Sequence, residues 1–169
     1  MPTYVAFLRA VNVGGTGKLP MAELRALCES IGLTKVRTYI ASGNVVFHSP
    51  LSESAVKTRL ERCLEAYAGK PVGVLVRTGD ELAAVLQDNP FKSAAPNRTV
   101  AIFLDTPPPA DALASATGRQ SEAIALGTRE IYVHYGDGMA RSKLKIPATQ
   151  AGTARNINTI TTLVAWAAE

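Results

Sequence analysis

The chain has 169 residues, of which 47% are hydrophobic and 19% charged, and its formal net charge is +4. That balance excludes a disordered chain, and a chain of this length buries roughly two thirds of its unfolded surface, so it needs no metal or disulfide to fold. No apolar run approaches the ~20 residues of a membrane span, and the start, MPTYVAFLRAVNVGG, lacks the basic n-region of a signal peptide, so a soluble cytoplasmic protein is expected.

Thr3–Arg9 is rich in Val, Phe and Leu and reads as a strand whose apolar residues do not alternate, so both of its faces are expected to be covered. Residues 12–18 form a loop carrying Gly14, Gly15 and Gly17. Pro20 suits the first turn of a helix that repeats Met21, Leu24, Leu27, Cys28 and Ile31 on one stripe. Residues 36–40 and 45–47 are predicted strands joined by the turn Ser42-Gly43-Asn44. Ser52 is expected to cap a helix to about Ala68, and Gly69-Lys70-Pro71 to end it before a strand at 72–76. The order β-α-β-β-α-β is the ferredoxin-like pattern.

Thr78 or Asp80 then caps a short helix to about Gln87. A linker leads to a strand at 99–104, the rigid turn Pro107-Pro108-Pro109 and a short helix to about Thr117. Residues 123–126 and 130–134 make a hairpin around Gly127-Thr128. After a polar, basic stretch, a last helix carries Ile160, Leu163, Val164 and Ala167 on one face, capped by Asn156 or Thr153. The expected class is α+β, with two ferredoxin-like (βαββα) units and antiparallel or mixed sheets. The units would span 1–78 and 99–169, with a helix and linker at 79–98. The second unit reads as lacking its last strand. The repeat is visible in element order and not in residue identity, and one mixed sheet is the alternative.

A right-handed crossover makes the first two strands of a ferredoxin-like unit parallel. The loop after the first strand therefore meets the turn between the second and third, beside the start of the first helix. Arg9, Asn12, Lys18, Ser42 and Asn44 would supply donors there, and Gly14 and Gly15 would let backbone N–H groups approach a ligand. The constellation suits a phosphate or carboxylate; the plainer reading is a loop that only turns the chain. Gly14-Gly15-Thr16-Gly17-Lys18 is not a P-loop, because Leu19 stands where a Mg²⁺-binding hydroxyl belongs. A second cluster, Ser142, Lys143, Arg155 and Asn156 with Arg141 and Lys145, reads as another anion-binding surface or as a solvated loop plus a helix cap.

Cys28 and Cys63 fall on apolar helix stripes and read as small buried hydrophobes. His48 and His134 each end a strand with no metal-ligand spacing around them, so no metal site and no cofactor are expected. Neither a nucleophile elbow nor a ribonucleoprotein signature is present.

The segments Arg9-Ala10-Val11-Asn12-Val13-Gly14-Gly15, Met21-Ala22-Glu23-Leu24-Arg25, Arg37 through Phe47, Ser142-Lys143-Leu144 and Thr153 through Thr159 resemble the bacterial family called domain of unknown function 1697. The family usually carries a tryptophan where this chain has Ile157. The resemblance implies an α+β fold of two similar subdomains and no agreed activity. A binding protein for a phosphate- or carboxylate-bearing small molecule is the leading expectation. A nucleic-acid-binding module, or a protein-binding module without a small ligand, are the alternatives. The sequence assigns no reaction and no oligomeric state.

Overall fold

The computed structural model describes residues 1–9, 19–40, 42–136 and 142–169. The chain divides into two compact units, Met1–Leu82 with Leu163–Glu169, and Ala83–Thr162.

In the first unit the elements are β1 (Thr3–Leu8), α1 (Met21–Ser30), β2 (Thr34–Tyr39), β3 (Asn44–His48), α2 (Glu53–Ala68) and β4 (Val74–Thr78). They follow the ferredoxin-like order read from the sequence. The strands form an antiparallel sheet ordered β2-β3-β1-β4. One face of the sheet, through Tyr4, Ala6, Leu8, Val45, Phe47, Val74 and Val76, packs with Leu24 and Cys28 of α1 and Val56, Leu60 and Leu64 of α2 in one apolar core. These helix residues recur every three or four positions, as one buried stripe requires. Ser52 caps α2 by accepting the Ala55 N–H, and Gly69 closes it in the left-handed conformation with φ 72°. Glu61 accepts from the Val74 N–H at 3.1 Å and from Lys57 Nζ at 3.0 Å, which ties α2 to the start of β4. The opposite face of the sheet is also buried: Val5, Phe7, Val46 and Leu75 are inaccessible, and so is Arg77.

Cys28 is fully buried, and burial pushes its thiol up to about 12. Cys63, on α2, is partly exposed. Because the thiolate is the reactive form, a thiol reagent at pH 8 is expected to modify at most Cys63 in the native protein and both cysteines in denaturant. Mass spectrometry after timed alkylation checks this; rapid native labelling of Cys28 would contradict it.

The second unit holds β5 (Thr99–Phe103), β6 (Ala123–Leu126), β7 (Glu130–His134) and β8 (Thr153–Asn156), in an antiparallel sheet ordered β6-β7-β5-β8. Two further helices follow the last strands, α3 (Gly79–Gln87) after β4 and α4 (Ile157–Ala167) after β8. Two sequence expectations are corrected here. The second unit does have its last strand, β8. The residues after Pro107-Pro108-Pro109 form successive turns and no helix: Ala112 N–H bonds Pro109 O, and Ala116 N–H bonds Leu113 O. Thr153-Ala154-Arg155-Asn156 carries no apolar alternation, so its strand character comes from pairing with β5. The segment from Ala110 to Thr117 is too short to sustain a helix on its own propensity.

The two sheets match in register as well as in strand order. Thr3 pairs with His48 and Thr99 with His134; Phe7 pairs with Asn44 and Phe103 with Glu130; Val5 pairs with Arg77 and Ala101 with Arg155. Thr3, Phe7, Leu8, His48 and Arg77 thus recur as Thr99, Phe103, Leu104, His134 and Arg155. Thr78 opposes Tyr4 as Asn156 opposes Val100, and each starts a helix: Thr78 Oγ1 accepts the Glu81 N–H and Asn156 Oδ1 the Thr159 N–H. The duplication therefore extends to residue identity, correcting the reading that confined it to element order. It escaped the sequence because the described residues between β5 and β6, and those from 142 to 152, form turns, a bridge and one short 3-10 helix where the first unit has α1 and α2. These segments supply Ala112 and Ile146 to a core with Val100, Ile102, Leu104, Ile131 and Val133.

Candidate functional site

At the end of β1 the Leu8 N–H donates to Gly43 O at 2.9 Å and the Arg9 N–H donates to Gly73 O at 2.9 Å. Arg9 thus leaves the sheet beside the β2–β3 turn and the residue before β4. A Cβ on Gly73 would stand 3.0 Å from Arg9 Cδ, so the glycine makes room for the aliphatic stem of Arg9. Leu19 is buried, and Pro20 leads into α1, whose Leu24 N–H bonds Pro20 O. Of the residues expected to form this site, Arg9, Ser42 and Asn44 come together at one end of the sheet. Asn12, Gly14, Gly15 and Lys18 lie outside the described residues, as does Arg141 of the second cluster.

Ser42 is exposed and Asn44 is inaccessible. The Asn44 amide donates to Tyr39 O at 2.8 Å and to Ser42 Oγ at 3.0 Å. Asn44 therefore closes the turn from inside, with the Ser42 hydroxyl as one of its two acceptors. Gly43, at φ 87°, supplies the left-handed step that this turn needs. Ile40 also adopts positive φ, 49°, and is 50% exposed.

In the second cluster, Ser142 Oγ donates to Glu122 Oε2 at 2.6 Å and accepts the Leu144 N–H at 3.2 Å. Glu122 Oε1 accepts the Gln120 N–H at 2.6 Å. Thr117 and Lys145 exchange two backbone hydrogen bonds of 2.8 Å. The segment carrying Lys143 is thus fixed against residues 117–122, and Lys143 itself is exposed. Arg155 stands on β8, buried, with Nη1 donating to Thr153 Oγ1 and Ala154 O at 2.8 Å; burial lowers its guanidinium to about 10, so it stays charged at neutral pH. Asn156 caps α4.

Glu122, which the sequence did not single out, is held below the usual glutamate value by the Ser142 hydroxyl first and then by the Gln120 N–H. A carboxylate depressed in the folded state contributes stability that is present above its unfolded pKa and lost as pH falls through its folded value. The melting-temperature gap between wild type and Glu122→Gln is therefore expected to be full at pH 6 and to shrink below about pH 4. A gap that stays constant down to pH 3 would contradict the assignment.

The histidines end their strands as expected. Thr99 Oγ1 donates to Ala95 O, so it accepts from His134 at 3.0 Å, which places the imidazole proton on Nδ1. Among the described residues no group of three His, Cys, Asp or Glu side chains could hold a metal ion. No helix among them is long and apolar enough to cross a membrane.

A solved structure titled "The structure of conserved bacterial protein SP0830 from Streptococcus pneumoniae" is similar, with a TM-score of 0.83 and 25% identity, covering 100% of this chain and 99% of that one. No curated protein matches the chain. The family model described as "Protein of unknown function (DUF1697)" matches residues 1–132. The match includes Arg9, the 42–44 turn and Glu122, and ends before Ser142. Covering most of the chain, with the fold shared throughout by the pneumococcal protein, it establishes that the chain belongs to the DUF1697 family.

Proposed function

We propose that the protein binds a small phosphate- or carboxylate-bearing ligand where β1 ends, with Arg9 as the principal contact. The observation that carries this reading is the seating of Arg9 over Gly73 at the end of β1, where the preceding Leu8 N–H bonds Gly43 O of the 42–44 turn, immediately before a glycine-rich sequence that precedes α1. Lys18 would add a second cation, Asn12 a side-chain donor, and Gly14 and Gly15 backbone donors. Charge-assisted hydrogen bonds of this kind are each worth roughly 1.5–3 kcal/mol, and a helix N-terminus adds about 0.3–1 kcal/mol. Asn44 acts by shaping the turn. In the second unit, taken by itself, Lys143 is an exposed cation on a segment anchored through Ser142 and Glu122. We place this activity in the bacterial cytoplasm; the bacterial origin of the similar structure supports the host. No reaction is assigned.

The nucleic-acid reading has less support. Base-stacking sheets need exposed aromatics on an open face. Here Tyr4 and Phe47 pack in the core, 5.8 Å apart, and the other face of that sheet is buried at Val5, Phe7, Val46 and Leu75.

A thermal-shift screen with nucleotides, sugar phosphates and small carboxylates tests the choice. A ligand at about 100 times its Kd adds roughly 2.7 kcal/mol of stability. Selective stabilisation by one anion class is the expected result. No response to any of them, with salt-sensitive retention on a polyanion column, would favour nucleic acid instead.

A further inference from the structure

We propose that Leu163–Glu169 is a strap on the second face of the first sheet, clamped shut by Arg37, Trp166 and Glu169. The strap opens locally while the sheet stays folded, and it does not depend on the anion site at the end of β1.

The segment groups with the first unit, and its apolar residues recur at helical spacing. Leu163 is fully buried, and Trp166 and Ala167, three and four positions on, are half-buried. The strap meets the unit at both outer strands of the sheet. At β2 the Trp166 ring stands edge-on to the Tyr39 ring, with centroids 5.2 Å apart, and the Arg37 guanidinium lies 3.9 Å from the Trp166 ring centroid. Just after β4, the Cβ of Ala167 stands 3.1 Å from where a Cβ on Gly79 would be, so the glycine lets the strap approach. Arg37 pairs opposite Val46, and Val46 opposite Val5, so the clamp lies on the face turned away from the α1 and α2 core.

The clamp itself is open to water. Arg37 also pairs with the Glu169 carboxylate, and the two side chains are 45% and 64% exposed. Exposed ion pairs and cation–π contacts are weak, and the ion pair is screened by salt. A last turn held by such contacts belongs to the low-stability end of the fold, whereas Val5 and Phe7 of the sheet are inaccessible. Opening the strap releases the Arg37 guanidinium and the Tyr39 ring together.

The test is native-state hydrogen exchange of the full chain in low urea. The amides of Trp166, Ala167 and Ala168 report the strap; the Ala168 N–H is bonded to Val164 O at 3.2 Å. In the wild type these amides should exchange faster than those of β1 and β3, with little dependence on urea, because a local opening exposes little surface. Equal rates and equal urea slopes for strap and sheet would mean that the strap opens only by global unfolding, and would overturn the proposal. Arg37→Ala should speed the strap amides about 3- to 30-fold, the range for losing one exposed cation–π contact and one exposed ion pair. Arg25→Ala, the control on α1, should change them no more than about twofold. Raising salt to about 1 M, where the Debye length is roughly 3 Å, should speed them in the wild type more than in Arg37→Ala. Unchanged strap exchange in Arg37→Ala, or an equal response to salt in the two proteins, would also overturn it.

Discussion

Gly118→Ala is expected to lower the stability of the protein by about 3 kcal/mol or more. Gly118 has φ +71°, and a Cβ built on it would stand 2.0 Å from Lys143 O and 2.8 Å from Lys143 C. Those atoms are backbone, so no side-chain rotation relieves the clash. The segments carrying Thr117 and Lys145 must separate, and their two 2.8 Å hydrogen bonds go with them. Each such bond is worth about 0.5–1.5 kcal/mol, and the left-handed backbone costs an alanine roughly 1 kcal/mol more. Gly32 is the control. It too has positive φ, +89°, but nothing lies within 4 Å of its Cβ position. Gly32→Ala should therefore cost only about 1 kcal/mol, the conformational part alone. Urea denaturation of both variants separates the two contributions; equal losses would mean that the approach to Lys143 is not the constraint.

The same contact explains part of what the sequence concealed. Gly118 reads as an ordinary turn glycine, and Glu122 as one polar residue in a polar stretch. Their roles depend on residues 142–145, twenty or more positions away, and nothing local encodes that pairing. The first unit was legible because its helices bury regular stripes, Leu24 and Cys28 in one and Val56, Leu60 and Leu64 in the other. The second unit has no such stripes outside α4. Its last strand buries Arg155 and was read as loop, and the turns after Pro109 were read as helix. The duplication became visible only when strand register aligned Thr3, Phe7 and His48 with Thr99, Phe103 and His134.

For the candidate site, chain direction was informative and side-chain direction was not. Crossover handedness places the end of β1 beside the 42–44 turn, and the Leu8 N–H donates to Gly43 O there; the Arg9 side chain, which handedness does not direct, lies over Gly73. Asn44 was read as a donor to a ligand because its turn lies beside the loop after β1, with bonding to local backbone as the alternative. Its amide points inward, to Tyr39 O and Ser42 Oγ, which is the local-bonding alternative, and it stands opposite Phe7 in the sheet. Ile40 gave no signal, since positive φ at a β-branched residue is an exception to its own propensity.

Arg9→Ala carries the largest expected effect on binding. The side chain lies over Gly73, so its aliphatic stem is supported, and a guanidinium is the group that can bind two oxygens of one anion at once. Losing a contact of roughly 1.5–3 kcal/mol corresponds to about 10- to 100-fold in affinity. The fold should be little changed, because Arg9 follows the strand and its backbone hydrogen bond to Gly73 does not depend on the side chain. Arg25 provides the matched comparison: it is another arginine of the same unit, with a side chain 60% exposed on α1, 3.8 Å from Glu29. The most direct measurement is the affinity of inorganic phosphate for wild type, Arg9→Ala and Arg25→Ala at one fixed ionic strength, which holds general screening constant. The predicted result is a 10- to 100-fold loss in Arg9→Ala and no more than about a twofold change in Arg25→Ala. Equal affinity for wild type and Arg9→Ala, or equal losses in the two variants, would contradict an anion site at the end of β1.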